Sequence, residues 1–231
     1  MINDQNIVVI IPAFNEQNSV GKVIADIPKK IVNEIIVVNN NSNDLTSVKA
    51  LQAGATVLDE PNQGYGNACL KGLAYLKELK NKPDIVIFID ADYSDFPEEI
   101  EQLIAPILNG DYDMVIGSRA LGKRERGSMT PQQIFGNWLA TTLLKLLYKV
   151  NYTDLGPFRA INYDKLLEID MIDKTYGWTV EMQLKAAKLK LRTTEIPVKY
   201  RVRIGHSKVS GTLKGTIGAG YKIITTIFKY L

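Results

Sequence analysis

Residues 85–92 read Ile85-Val86-Ile87-Phe88-Ile89-Asp90-Ala91-Asp92, and this stretch decides the fold. Its first five residues are apolar, uncharged and mostly β-branched, the pattern of a strand buried inside a parallel sheet. Such a strand ends by placing Asp-Ala-Asp at its carboxyl edge, where open α/β sheets bind ligands. Alternation puts Asp90 and Asp92 on one side, with Ala91 between them. Two carboxylates so close repel each other unless a cation or a shared proton relieves them. Mg²⁺ is typically held by one or two carboxylates plus substrate phosphates, so the pair suits a divalent ion carrying a phosphorylated ligand.

Two other readings compete. Asp90, Asp92, Ser94 and Glu101 fall at calcium-loop spacings, but Asp95 stands where that loop needs Gly, and the segment follows a strand. A solvated turn is the plainer alternative. In it Asp95 caps the helix that starts near Pro97-Glu98-Glu99, which leaves the two upstream acids unexplained.

Working outward, Ile7–Ile11 is an apolar run stopped by Pro12, and Ile35–Val38 a second buried strand. Ala55–Leu58 and Met114–Gly117 are further strands. Helices are predicted over Ser19–Ile27, Leu45–Ala53, Gly64–Leu79 and Glu98–Leu108. This alternation is the signature of a parallel sheet with helices on both faces. Later come a helix over Pro131–Lys149, a loop at Gly156–Arg159 leading into a strand, a helix over Thr179–Leu189, a strand over Thr193–Tyr200 and an apolar tail from Thr212.

Composition sets bounds. The chain has 231 residues, 45% of them hydrophobic, which suits one large α/β domain with a full core. Its net charge of +3 is too mild to argue for nucleic acid. The single Cys69 leaves no intrachain disulfide and fits a reducing compartment. The polar start and the lack of an apolar run of about 20 residues lead to the expectation of a cytoplasmic protein.

Each early strand ends in polar residues suited to a nucleotide: Pro12-Ala13-Phe14-Asn15-Glu16, then Asn39–Asp44. Asn62-Gln63-Gly64-Tyr65-Gly66 places glycines at a helix start, either an anion site or a point of tight packing.

Ile10–Glu16, the Asn-Ser-Asn-Asp turn, Asp90-Ala91-Asp92 and Gly117-Ser118-Arg119 together resemble the inverting glycosyltransferases of family 2, which have the GT-A fold. Among them the dolichyl- and polyprenyl-phosphate mannosyl- or glucosyltransferases are most similar. Arg201–Lys208 also resembles their basic segment near the carboxyl end, so the likeness spans nearly the whole chain. It implies one domain, with a nucleotide-binding half over 1–120 and an acceptor-side half with a C-terminal helix over 121–231. It implies a UDP- or GDP-sugar donor, Mg²⁺ or Mn²⁺ on Asp90 and Asp92, and a polyprenyl phosphate acceptor. Pro12, Ala13 and Glu16 would line the nucleoside pocket. Gly64 and Ala91 belong to the same donor set. Asn40 replaces the acidic residue that the family turns toward base or ribose, so the base stays open. Arg119, Arg201, His206, Ser207 and Lys208 would surround the phosphates, and Arg and Lys are chemically suited to that.

An attacking hydroxyl would need a general base, and Asp154 and Glu181 are the candidates. Their plainer readings are a turn and a helix-dipole partner. A lipid phosphate acceptor needs no strong base. The Lys123–Arg126 loop is either solvated or closes over the donor. The helix near Trp138 carries Trp, Phe and Leu flanked by Lys145 and Lys149, the composition of a helix lying on a membrane surface or of a core helix. Other classes fit less well. A sugar nucleotidyltransferase would have a Gly-rich, Arg-containing stretch after the first strand, and a dinucleotide oxidoreductase Gly-x-Gly-x-x-Gly; Pro12–Glu16 contains no glycine. A glycosyltransferase acting on a glycan or lipid head group, and a non-catalytic nucleotide-binding protein, stay open.

Overall fold

The computed structural model describes residues 5–205, 207 and 213–231, apart from the side chains of Leu213, Lys214 and Thr216. The strands are β1 (Ile7–Ala13), β2 (Glu34–Asn39), β3 (Thr56–Asp59), β4 (Ile85–Phe88), β5 (Met114–Ser118), β6 (Arg159–Asn162) and β7 (Thr193–Pro197). They form one sheet in the order β3-β2-β1-β4-β6-β5-β7. All pairs are parallel except those of β6, which runs antiparallel to both β4 and β5. The helices are α1 (Val20–Asp26), α2 (Thr46–Gln52), α3 (Tyr65–Glu78), α4 (Ile100–Leu108), α5 (Pro131–Tyr148), α6 (Tyr163–Ile169), α7 (Trp178–Lys188) and α8 (Leu213–Lys229).

Strand alternation divides the core. Val8, Ile10, Ile36, Val38, Val86 and Phe88 face one layer with α3 and α7. Ile7, Val9, Ile11, Val37, Ile85 and Ile87 face the other with α1 and α4. Both faces are covered, which is why these strands read as continuous apolar runs.

Two expectations need correction, and one helix is new. Pro12 does not stop β1. The Ile10 carbonyl accepts from Ile89 and the Ala13 carbonyl from Asn40, so alternate residues face opposite neighbours. The donor that Pro12 lacks therefore falls on the β4 side, beyond the last β1–β4 pair, Ile10↔Phe88. Asp95 caps no helix: a 3-10 turn at Pro97–Glu99 leads into α4 without any side-chain cap. Finally, α6 goes unread in the sequence, being only seven residues long; it is capped by Asn162, which accepts from the Asp164 amide at 3.0 Å.

Candidate active site

β1, β2 and β4 are pinned in parallel register, so their carboxyl ends lie side by side. A cleft of about 320 Å³ opens there. It is lined by Pro12, Ala13, Glu16, Asn40, Gly64, Asp90, Ala91, Asp92 and Ser207, together with Tyr65, Tyr176 and Arg203. A second cleft of about 330 Å³ shares Tyr65, Asp90, Asp92, Tyr176, Arg203 and Ser207 with it. The second continues between α5 (Gln132, Gln133, Gly136, Asn137) and α8 (Ala219, Gly220, Ile223), past Arg119 and Tyr200. Both volumes fall within the range of small-molecule sites, roughly 300–1,000 Å³.

The acidic pair lies where the two clefts meet. Asp92 is 5% exposed. Its Oδ1 accepts from the Ser94 amide and hydroxyl, and its Oδ2 faces the Arg203 guanidinium at 3.1 Å. Among the described residues the buried Asp90 Oδ1 and the neighbouring Tyr65 hydroxyl close no full hydrogen bond. Burial, then the neighbouring Asp92 charge, pushes the Asp90 carboxyl up to about 7, against the pull of Arg203. A buried carboxylate oxygen without a full hydrogen bond, beside a second carboxylate, is the donor chemistry a divalent cation satisfies. The pair therefore fits Mg²⁺ or Mn²⁺, with substrate oxygens completing the shell. Among the described residues no third His, Cys, Asp or Glu joins it.

Arg119, at the end of β5, is gripped by Asp154. Its Nε and Nη2 donate to the two carboxylate oxygens at 2.8 and 2.6 Å, and its amide donates to Oδ2 at 2.7 Å. Asp154 is 1% exposed. Its carboxylate positions a cation and offers no free oxygen to an incoming hydroxyl. Glu181 is turned away from both clefts. It accepts from the Ile172 and Asp173 amides and the Tyr230 hydroxyl, and pairs with Lys185, tying α7 to the chain's end.

Arg201 also lines neither cleft. Its Nε donates to the Tyr93 carbonyl at 2.7 Å, and its guanidinium lies 3.4 Å from the Tyr93 ring centre. Tyr93 has φ 66°, a left-handed conformation costly for an aromatic residue, and Arg201 clamps that turn directly after Asp92. The residue that reaches the acids is Arg203, which the sequence reading missed. Extended-chain alternation gives Arg201 and Arg203 equal claim, and only the tertiary path separates them. Lys123, Arg124 and Arg126 are exposed and line neither cleft. His206 and Lys208 lie outside the described residues.

Two loop readings change. The glycines opening α3 form a packing joint rather than an anion cradle: the Gly66 and Asn67 amides donate to the Thr175 and Lys174 carbonyls. A Cβ on Gly66 would sit 2.0 Å from the Asp173 carbonyl oxygen. The Asn40 amide nitrogen donates to the Glu60 and Asn62 carbonyls while its oxygen accepts from Gly64. A carboxylate there would confront two carbonyl oxygens, which accounts for the amide at this position.

Beneath the site, Arg159 is fully buried and donates only to the Gly156 and Thr179 carbonyls. Burial brings its guanidinium down to about 10. Asp95 is also buried, and among the described residues neither of its oxygens has a partner. Burial and then the Asp90 charge push its carboxyl well above the usual range.

Residues 8–169 match the family model described as glycosyl transferase family 2. A UDP-N-acetylglucosamine–dolichyl-phosphate N-acetylglucosaminyltransferase of Methanococcus voltae is 29% identical, over 95% of this chain and 94% of that one. An undecaprenyl-phosphate mannosyltransferase of Micrococcus luteus is 28% identical, over 90% and 89%. The glucosyl-3-phosphoglycerate synthase of Mycobacterium tuberculosis, solved with Mn²⁺, UDP and phosphoglyceric acid, superposes with a TM-score of 0.78 at 22% identity, over 99% of this chain and 81% of that chain. This last likeness is one of fold, the GT-A arrangement.

Proposed function

The chain belongs to glycosyl transferase family 2, and from that premise we propose that it moves a sugar from a UDP- or GDP-sugar to a polyprenyl phosphate, with inversion at the anomeric carbon. One observation carries the reading. Two clefts meet at the acidic pair, and the described residues of the second include two arginines but no carboxylate other than Asp90 and Asp92. Among those described residues a hydroxyl acceptor entering there would find no free base. A phosphate is already ionised and finds cations. The likeness to two transferases named for lipid-phosphate acceptors supports the same choice.

In this scheme Pro12, Ala13, Glu16 and Asn40 line the nucleoside end of the first cleft. Asp90 and Asp92 hold Mg²⁺ or Mn²⁺, which when bound neutralises charge on the leaving diphosphate. Arg119 and Arg203 add fixed positive charge where negative charge develops. Asp154 keeps Arg119 aimed. A phosphate oxygen of the acceptor forms its bond to the anomeric carbon as the bond from that carbon to the diphosphate breaks. The electron pair leaves with the nucleoside diphosphate and no proton need move, so neither Asp154 nor Glu181 acts as a base.

The acceptor's apolar chain leaves between α5 and α8. Outside the cleft's lining, Phe135, Trp138 and Leu146 of α5 are 60, 58 and 70% exposed, and Ile217 and Tyr221 of α8 63 and 71%. Lys145 and Lys149 flank the α5 stripe. Such faces suit an anionic membrane surface. No helix of the described residues is long and apolar enough to cross a membrane.

The test supplies radiolabelled UDP- and GDP-sugars with Mn²⁺ and vesicles holding either polyprenyl phosphate or the free polyprenol. The expected product is sugar on the lipid phosphate only. Transfer to the free alcohol or to an added glycan, with none to lipid phosphate, overturns the acceptor reading. In a flotation assay the chain should rise with anionic vesicles, and the double variant Phe135→Ser, Trp138→Ser should not.

A further inference from the structure

Asp92 already holds a cation. Its Oδ1 is occupied by the Ser94 amide and hydroxyl, and the Arg203 guanidinium sits on the remaining oxygen at 3.1 Å. The same guanidinium reaches Glu16 Oε1 at 2.9 Å. Among the described residues its buried Nε has no partner, so the fork is only partly satisfied where it lies. The side chain is 26% exposed and lines both clefts, which leaves it room to swing. The backbone around it is fixed: the Arg201 amide donates to the Ser94 carbonyl and the Ile204 amide to the Asp92 carbonyl. An arginine does not leave a carboxylate by losing its proton. It leaves only by moving to another anion.

Building on the assignment of Asp90 and Asp92 as cation ligands, we infer that Arg203 is the resident counter-cation of Asp92 and gives up that place to the divalent ion when a diphosphate arrives. The guanidinium then turns from carboxylate to phosphate oxygens, which match its fork equally well. Without the diphosphate, ion and guanidinium compete for one oxygen and the ion binds weakly. With it, Arg203 has somewhere to go and the ion binds tightly. Metal and nucleotide are thereby coupled, and by reciprocity each strengthens the other. Arg203 is a positioning residue of the donor site, and Glu16 is its second anchor.

Free Mn²⁺ is measured by electron paramagnetic resonance while the protein is titrated with Mn²⁺ alone, then with UDP or GDP present. In the natural chain either the uridine or the guanosine diphosphate should tighten Mn²⁺ binding by about tenfold or more. Arg203→Gln should bind Mn²⁺ alone several-fold more tightly and lose most of that enhancement. Arg203→Met, which also removes the charge but keeps the apolar stem packed, should shift both quantities the same way; it carries the test if the first variant does not fold. Unchanged Mn²⁺ affinity and unchanged enhancement in these variants overturn the counter-cation role while leaving the metal assignment standing. No Mn²⁺ binding by the natural chain with either nucleotide overturns that assignment, and the role with it.

Discussion

The walls of the site before and after residue 120 are built in different ways. The earlier wall consists of strand ends. Pro12, Ala13, Asn40, Asp90 and Asp92 are placed by the register of three adjacent parallel strands, and most are buried. The later wall is assembled from α5, the segment 198–204 and α8, and much of its apolar surface is open. The two arginines show the contrast at single-residue scale. Arg119 is locked in a two-pronged pair with Asp154, the side chains 10 and 1% exposed. Arg203 bridges Asp92 and Glu16 at the rim. Rigid, buried parts suit a donor held the same way each time. Open ones suit an acceptor with a long chain and a cation that changes partners.

Substitutions can break that contrast, and the largest effect concerns Arg119. Asp154→Ala leaves a buried guanidinium without its carboxylate and should cost about 3–5 kcal/mol in urea unfolding. Arg203→Gln should cost distinctly less in the same experiment, because its side chain is 26% exposed and solvent reaches the carboxylates it vacates. Equal losses would erase the distinction. Next, Asp92→Asn should lower sugar transfer by about a hundredfold or more with little change in the unfolding midpoint. Retained activity would remove Asp92 from the chemistry.

Smaller effects sharpen the picture of the donor wall. Gly66→Ala pushes a methyl group into the Asp173 carbonyl and should cost about 1–3 kcal/mol of stability. A variant with natural stability but lost diphosphate binding would restore the anion-cradle reading. The smallest effect is on pH dependence. In the metal-free chain Asp90 holds its proton up to about 7, against 3.8 ordinarily. The unfolded chain releases that proton first, so stability is lost as pH rises between those values. Asp90→Asn removes that loss. Without metal it should melt higher than the natural chain near pH 8, with the gain shrinking toward pH 5. A gain that does not depend on pH would mean Asp90 is not the titrating group.

The same division decides what could be read from sequence. Ile85–Asp92 announces both a strand and the cleft at its end because a buried parallel strand is apolar throughout and its first polar residues mark the ligand edge. Pro12, Ala13, Glu16 and Asn40 were legible on the same logic, and the structure lines the first cleft with them. Past residue 120 local pattern gives less. The α5 stripe reads equally as core or surface, and only tertiary packing buries Ala140, Thr141 and Leu144 while leaving Phe135 and Trp138 open. Arg201 and Arg203 are indistinguishable by type and spacing, yet one clamps the Tyr93 turn and the other faces the acids. Asp154 is separated from Arg119 by 35 residues, so nothing local reveals that its carboxylate is occupied.

Above all, we propose that Asp90 and Asp92 bind the donor through a divalent ion. The most direct test is the melting temperature of the natural chain and of Asp92→Asn against UDP- and GDP-sugars, with and without Mn²⁺. A ligand that binds only the folded state raises that temperature. The rise should occur only in the natural chain and only when sugar-nucleotide and Mn²⁺ are present together. An equal rise without Mn²⁺, or in Asp92→Asn, would contradict the account.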